Sequence, residues 1–407
     1  MPSKSSEALD IHQPRIWIKP YYASFNGIRG VAVLTVFMAH FGGFWAPQIS
    51  AFTWEGVDLF FVLSGFLITG ILYDSLDTPG FFRNFYIRRA LRIFPVFYAL
   101  CILLLILTPL LHLHYSWTLF TFFLYVGNLL MPFIYSAHNP TVIWAYWKGS
   151  LTEVSNIGHF WSLCIEEQFY LLWPSVIWFV RDRKRLMRIC VVGSIVTLLG
   201  RFILRQYFDH MLLLYWSTYT RCDTLLIGAW LALWLREYPL SLQALRRLSL
   251  YFFWIPVIIV LAVMSRFSHS YSDYLVFDNR FMCTFGFTLI ALASAALLLR
   301  SLDDSSLLSR VLRNPLLSGL GVISYGFYLF HMPMEAGLGL LSRVHPQLRV
   351  FVPLIAFALT FTLAKLSFHY FETPFLRLKR VLAPQQTPVN ATGEPTTAHL
   401  HLAEPEV

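Results

Sequence analysis

Residues 56–73 read Gly-Val-Asp-Leu-Phe-Phe-Val-Leu-Ser-Gly-Phe-Leu-Ile-Thr-Gly-Ile-Leu-Tyr, and this stretch decides the fold. It is continuously apolar, with Asp58 as its one charge. A run of about 20 such residues crosses the ~30 Å hydrocarbon core of a bilayer as a helix. Ten more runs of the same character lie near 28–45, 93–111, 117–134, 160–180, 188–206, 212–235, 251–266, 282–299, 317–340 and 350–371. Across the 407 residues, 57% are hydrophobic and only 13% charged, about half the usual charged share. Mean hydropathy is +0.59. One soluble core cannot hide that much apolar surface, so a cytosolic globular enzyme is excluded. The 17% aromatic content excludes disorder for the bulk of the chain. The runs are long rather than short and alternating, which excludes an outer-membrane barrel. The fold expected is an all-α, polytopic membrane helix bundle.

Charge orients it. Lys and Arg number 31 against 22 Asp and Glu, a net +9. The excess sits in clusters: Arg83/Arg88/Arg89/Arg92, Arg181/Arg183/Lys184/Arg185/Arg188, Arg236/Arg246/Arg247, Arg300/Arg310/Arg313 and Arg377/Lys379/Arg380. Basic residues collect on the cytoplasmic side. If all eleven runs cross, the first cluster and the later ones fall on opposite sides. If the run 117–134 stays out, every cluster lies with Lys4, Arg15 and Lys19 on one side. That run is also the poorest span, with Thr118, Thr121, Gly127, Asn128 and Pro132. About ten transmembrane helices are therefore expected, with both termini cytoplasmic and an outer-side re-entrant or interfacial stretch over roughly 112–158. Residues 1–24 read as a cytoplasmic segment without a cleavable signal, 25–378 as the integral domain and 379–407 as a disordered cytoplasmic tail. The positive excess is thus a topology signal and calls for no nucleic-acid partner. Five cysteines stand singly in apolar segments, with no CxxC pair, so neither a zinc site nor a disulfide framework is expected.

Ionisable residues inside a bilayer are costly and mark sites or pathways. The runs hold Arg29 and His40, Asp58, His159, Glu166 and Glu167, Arg221 and Asp223, His331 and Glu335, and Lys365 and His369. Arg29 and His40 are eleven residues apart, three helical turns plus ~20°, so they share a face and stand ~16 Å apart along the axis. Glu166 and Glu167 are ~100° apart, so one partner cannot face both. Arg221 and Asp223 read either as site residues or as a structural pair. Arg88 and Arg89 stand four and three residues before Arg92, so the set can clamp one polyanion, or contact lipid headgroups.

Several blocks together resemble the acyltransferase 3 family of membrane O-acyltransferases. They are Phe25-Asn26-Gly27-Ile28-Arg29-Gly30 followed by His40, Gly56 to Phe66, Phe85 to Pro95 with Arg88, Arg89 and Arg92, Trp161 to Tyr170 with Glu166 and Glu167, Thr220 to Asp223, and Ile323 to His331. The resemblance covers residues 20–378, in order. Asn26 stands where the family often has Asp, so no acidic role is carried to it. A serine-esterase-like domain that some relatives append has no counterpart in these residues.

The resemblance implies transfer of an acyl group, commonly acetyl, from cytosolic acyl-CoA to a hydroxyl of a sugar-containing acceptor. Acceptors of such enzymes include lipopolysaccharide O-antigen, exopolysaccharide, peptidoglycan and glycosylated antibiotics. Acyl transfer needs a base, an oxyanion donor and a grip on the thioester. His40 is the expected base, since imidazole alone titrates near neutrality unperturbed. Glu167 (or Glu166) is expected to orient it, with Asp58 in the same catalytic set. Arg29, Arg88, Arg89 and Arg92 are assigned to acyl-CoA, and Glu166, Arg221, Asp223 and His331 to the acceptor. No metal is expected, membrane lipids surround the bundle, and the location expected is a bacterial inner membrane. An alternative is a proton-coupled transporter or flippase of a glycolipid, using His40, Glu167 and His331 as a relay. The cytoplasmic arginines beside a deep base distinguish the enzyme, and the inverted repeats that would favour a transporter are not seen.

Overall fold

A computed structural model describes residues 22–46, 50, 53–111, 118–129, 157–207, 211–238, 240–267 and 280–384. Among them every regular element is a helix. In chain order these are α1 (Ala23–Phe41), α2 (Gly56–Asp74), α3 (Phe81–Leu111), α4 (Thr118–Phe123), α5 (Phe160–Val180), α6 (Arg183–Tyr207), α7 (Met211–Trp216) and α8 (Thr218–Glu237). Then follow α9 (Leu242–Phe267), α10 (Phe287–Ser301), α11 (Leu307–Leu312), α12 (Pro315–Val322), α13 (Ser324–Val344), α14 (Val352–Leu366) and α15 (Thr373–Leu382).

Seven of the described helical segments are long and apolar enough to cross a membrane: those built on α1, α2, α3, α6, α9, α10 and α14. Three more helices, α5, α8 and α13, are 21, 20 and 21 residues long. They hold Glu166 and Glu167, Arg221 and Asp223, and His331 and Glu335, which lowers their hydropathy. The chain is an all-α polytopic membrane protein. In the described part of 117–134, α4 is six residues long, too short to span, and is broken by a turn before further helical residues at 127–129; most of 112–158 lies outside the described residues. So do residues 1–21 and 385–407. The last helix runs to Leu382, four residues into the stretch read from sequence as tail.

Close approach of backbones explains two glycines. A Cβ on Gly65 would lie 2.0 Å from the Leu225 carbonyl oxygen, and one on Gly228 would lie 2.1 Å from that of Val62. Helices α2 and α8 therefore touch main chain to main chain, as small residues permit in membranes. Helix α9 behaves oppositely: Leu250, Phe252, Trp254, Ile255 and Ile258 are exposed, an apolar face turned to hydrocarbon.

Two fully buried ion pairs lock α2, α6, α8 and α10. Arg201 on α6 grips both Asp223 oxygens, at 2.9 and 2.7 Å, and Thr288 on α10 donates to the same carboxylate at 2.6 Å. Arg221 on α8 donates to Asp58 on α2 at 2.8 Å, its guanidinium 4.1 Å from the Phe287 ring centroid. All four charged side chains are 0% exposed. Arg221 and Asp223 do not pair with each other. Two residues apart they stand ~200° around their helix, so each finds its partner on another one. All five cysteines are free.

Candidate active site

Three imidazoles from three helices meet beside a carboxylate. His40 is in the last turn of α1, His159 stands immediately before α5, and His331 lies in α13. The ring centroids of His40 and His331 are 5.0 Å apart, and those of His331 and His159 also 5.0 Å. His40 Nδ1 lies 3.0 Å from Glu335 Oε2, one turn beyond His331 on the same helix. His40 and Glu335 are about a quarter exposed, at 26% and 29%, whereas His159 and His331 are buried. The base expected from sequence is thus the accessible member of the group.

Local sequence sets the two buried rings. Pro333 has no N–H, so the carbonyl four residues earlier, on Leu329, loses its helical donor. His159 Nε2 takes that place and donates to it at 3.2 Å. His331 Nδ1 donates to the Tyr328 carbonyl within its own helix. The Tyr328 hydroxyl donates to the His159 carbonyl at 2.9 Å and meets Ser162 Oγ. One residue, Tyr328, therefore ties α13 to the start of α5.

A second, charged group sits deeper along the same helices. Glu166 lies seven residues beyond His159, ~10 Å along α5, and Arg29 ~16 Å from His40 along α1. Ser64 donates to Glu166 Oε1 and receives the Tyr170 hydroxyl at 3.2 Å. Arg89 on α3 lies over the Tyr170 ring at 5.4 Å, and both Arg89 and Arg29 act electrostatically on Glu166. Arg29 donates to Asn26 Oδ1 at 2.9 Å, so a neutral amide is its partner one turn earlier on α1. Arg88 donates to the Ala383 carbonyl at 2.7 Å, and Arg92 acts on Glu372.

The structure brings His40 together with His331, and Arg29 and Arg89 together with Glu166. The carboxylate it sets against His40 is Glu335, where the sequence reading expected Glu167 or Glu166. Glu167 stands near Glu166 and Arg89, with Oε1 buried and without a hydrogen-bond partner. Asp58 is held by Arg221 rather than beside the imidazoles. Glu335 was visible in the sequence as an intramembrane acid one turn from His331, but nothing local links it to His40. Arg201 was also missed, although an Arg thirteen residues inside an apolar run is a clear signal. Among the described residues, no three His, Cys, Asp or Glu side chains are placed to hold a metal ion.

The arrangement offers an accessible imidazole with a carboxylate beside it, two buried imidazoles next to it, and an arginine-bearing layer about two to three turns deeper. Comparison with known proteins adds a family and relatives. An acyltransferase domain family matches residues 22–367. The peptidoglycan O-acetyltransferase OatA of Listeria monocytogenes is 29% identical over 372 residues, covering 88% of this chain and 56% of that protein. The O-acetyltransferase OatA of Staphylococcus aureus strain NCTC 8325 is 27% identical over 368 residues, covering 87% of this chain and 57% of that protein. A putative O-acetyltransferase of S. aureus strain COL is 28% identical over 382 residues, with 87% and 57% covered. The chain spans a little over half the length of these curated relatives. No solved structure matches it significantly.

Proposed function

The chain belongs to this acyltransferase family, and on that premise we propose that it moves an acyl group, most simply acetyl, from cytosolic acyl-CoA to a hydroxyl of a carbohydrate acceptor such as peptidoglycan or the sugars of lipopolysaccharide. The observation that carries this reading is the His40–Glu335 contact at 3.0 Å. In this mechanism His40 takes the proton of the acceptor hydroxyl through Nε2. The alkoxide oxygen attacks the thioester carbonyl carbon; the C–O bond forms and the C–S bond breaks. His40 then returns the proton to the departing thiolate. Glu335, with Oε2 3.0 Å from Nδ1 but without hydrogen-bond geometry, offsets the charge of the transient imidazolium, as a triad carboxylate does.

Arg29, Arg89 and Arg92, with Arg88 at the same end of α3, serve the nucleotide and pantetheine phosphates, because guanidinium forks match phosphate oxygens. The axial separation of Arg29 and His40 supports a donor that lies along α1 with its thioester at the imidazole. His331 is retained as an acceptor contact, whereas Glu166, held by Ser64 beside Arg89, belongs with the donor layer. Asp58, Arg221 and Asp223 act through the packing of α2 against α8, which holds the arginine layer under the imidazoles. Glu167, beside Arg89, belongs with the donor layer. In this reading the protein sits in a bacterial inner membrane with both termini cytoplasmic, so donor and acceptor approach from opposite faces.

The test is CoA release by the purified protein with acceptor present. His40→Ala is expected to abolish acceptor-dependent release while the variant still inserts and purifies. Wild-type turnover by that variant removes His40 from the mechanism.

A further inference from the structure

We propose that His159 Nδ1 and His331 Nε2 form a paired cradle of lone pairs that receives hydroxyl groups of the acyl acceptor beside the base. The proposal rests on the acyl-transfer reading above and names what the acceptor must present. His159 Nε2 faces the Leu329 carbonyl and His331 Nδ1 faces the Tyr328 carbonyl. A carbonyl only accepts, so each ring carries its proton on the nitrogen so engaged. In the neutral ring the other nitrogen, Nδ1 of His159 and Nε2 of His331, is an acceptor. Both of these atoms are buried and have no hydrogen-bond partner, and the residues are only 3% and 1% exposed.

Two lone pairs cannot satisfy each other, although the rings are neighbours at 5.0 Å. Buried polar atoms without partners are rare and call for an explanation. What they lack is a donor, and the site stands next to His40, whose ring is also 5.0 Å from that of His331. A polyhydroxyl compound brings several O–H donors on adjacent carbons: one to His40 for acylation, its neighbours to the cradle. A carboxylate or phosphate oxygen placed there would meet lone pairs in a desolvated site, with nothing to compensate its charge. The acceptor selected is therefore an uncharged polyol face of a sugar. Pro333 makes the geometry part of the sequence, since it frees the Leu329 carbonyl that fixes His159.

The experiment complements a strain lacking the chromosomal copy with wild type, H159N, H159F, H331Q and H331F, and measures ester bound to surface and secreted carbohydrate by mass spectrometry. The purified proteins are checked for monodispersity and for retention of radiolabelled acetyl-CoA. Asn keeps an acceptor near the Nδ1 position and Gln near Nε2, so these variants are expected to keep at least roughly a tenth of the ester. The Phe variants are expected to lose roughly 50-fold or more, while still retaining acetyl-CoA, a loss of the size expected when a hydroxyl's buried partner is removed. Where a Phe variant does not fold, H159L or H331L removes the same nitrogen. Wild-type ester levels in the Phe or Leu variants overturn the cradle, and so do monodisperse Asn and Gln variants as inactive as Phe. If wild type itself restores no carbohydrate ester, the acyl-transfer reading falls, and the cradle with it.

Discussion

His40 Nδ1 and Glu335 Oε2, 3.0 Å apart, join the end of α1 to the middle of α13. Without the carboxylate, an imidazolium formed at His40 in the proposed step would lose the negative charge set 3.0 Å from its Nδ1. Glu335→Gln keeps the side-chain shape and removes that charge. It is expected to lower kcat about 10²-fold, within the usual range for impaired general-base catalysis. The KM for acyl-CoA stays near wild type, because the donor layer is about two to three turns away. Steady-state CoA release at saturating donor checks this, and an unchanged kcat would leave Glu335 with a packing role only.

Pro333 sits between His331 and Glu335, and its missing N–H leaves the Leu329 carbonyl to His159. Pro333→Ala returns an N–H donor to that carbonyl and lets α13 close its own ladder. The helix gains a hydrogen bond and His159 loses the partner that fixes its ring. The expected result is a thermal midpoint no lower than wild type together with acceptor-dependent turnover reduced about tenfold, the worth of roughly one hydrogen bond. A variant that keeps full turnover would show that the His159 ring is held by other contacts.

Much of this was legible in the sequence, and the reasons are local. Arg29 and His40 share one helix, so their common face and spacing follow from pitch alone. The arginines of α3 and the acids of α5 announce themselves as charges at or within apolar runs, and the structure sets Arg89 near Glu166. The choice of partner was not legible. Glu167 and Glu335 are both intramembrane acids, and only the packing of α13 against α1 decides which one meets His40. The same holds for Arg221 and Asp223. Their proximity in sequence suggested a pair, yet helical geometry turns them apart, and Arg201 and Asp58 reach them from other helices. Pairing across helices is a property of the bundle, not of any one segment.

Glu55, in the turn before α2, carries a pH dependence outside the spans. Burial raises its carboxyl from the ordinary 4.5 to about 8; a hydrogen bond with its own backbone opposes the rise and the Asp58 charge adds to it. Between these values the folded state holds a proton that the unfolded chain has released. Stability therefore falls as pH rises from 4.5 to about 8 and is level above that. Glu55→Gln has no proton to lose. The difference in thermal midpoint between variant and wild type, measured in detergent from pH 5 to 9, is expected to grow with pH in favour of Gln. A difference that does not change with pH would place Glu55 in solvent.

Arg88 and Arg89 are adjacent, yet their surroundings separate them. Arg88 donates to the Ala383 carbonyl just past α15, a contact that ties α3 to the last helix. Arg89 lies over Tyr170 and acts on Glu166 and Glu167, inside the layer beneath the imidazoles. If that layer receives the donor, Arg89→Ala raises the KM for acyl-CoA about 10- to 100-fold, the loss expected when a hydrogen bond to a charged phosphate disappears. Arg89→Lys keeps the charge but neither the fork nor the flat stacking surface, so it should recover only part of the affinity. Arg88→Ala should in addition lower the thermal midpoint, since a contact between helices is lost with it. Donor titrations of all three purified variants, run beside thermal melts, separate the roles. Should Arg89→Ala bind acyl-CoA as wild type does, the donor lies elsewhere, and the axial alignment of Arg29 with His40 loses its meaning.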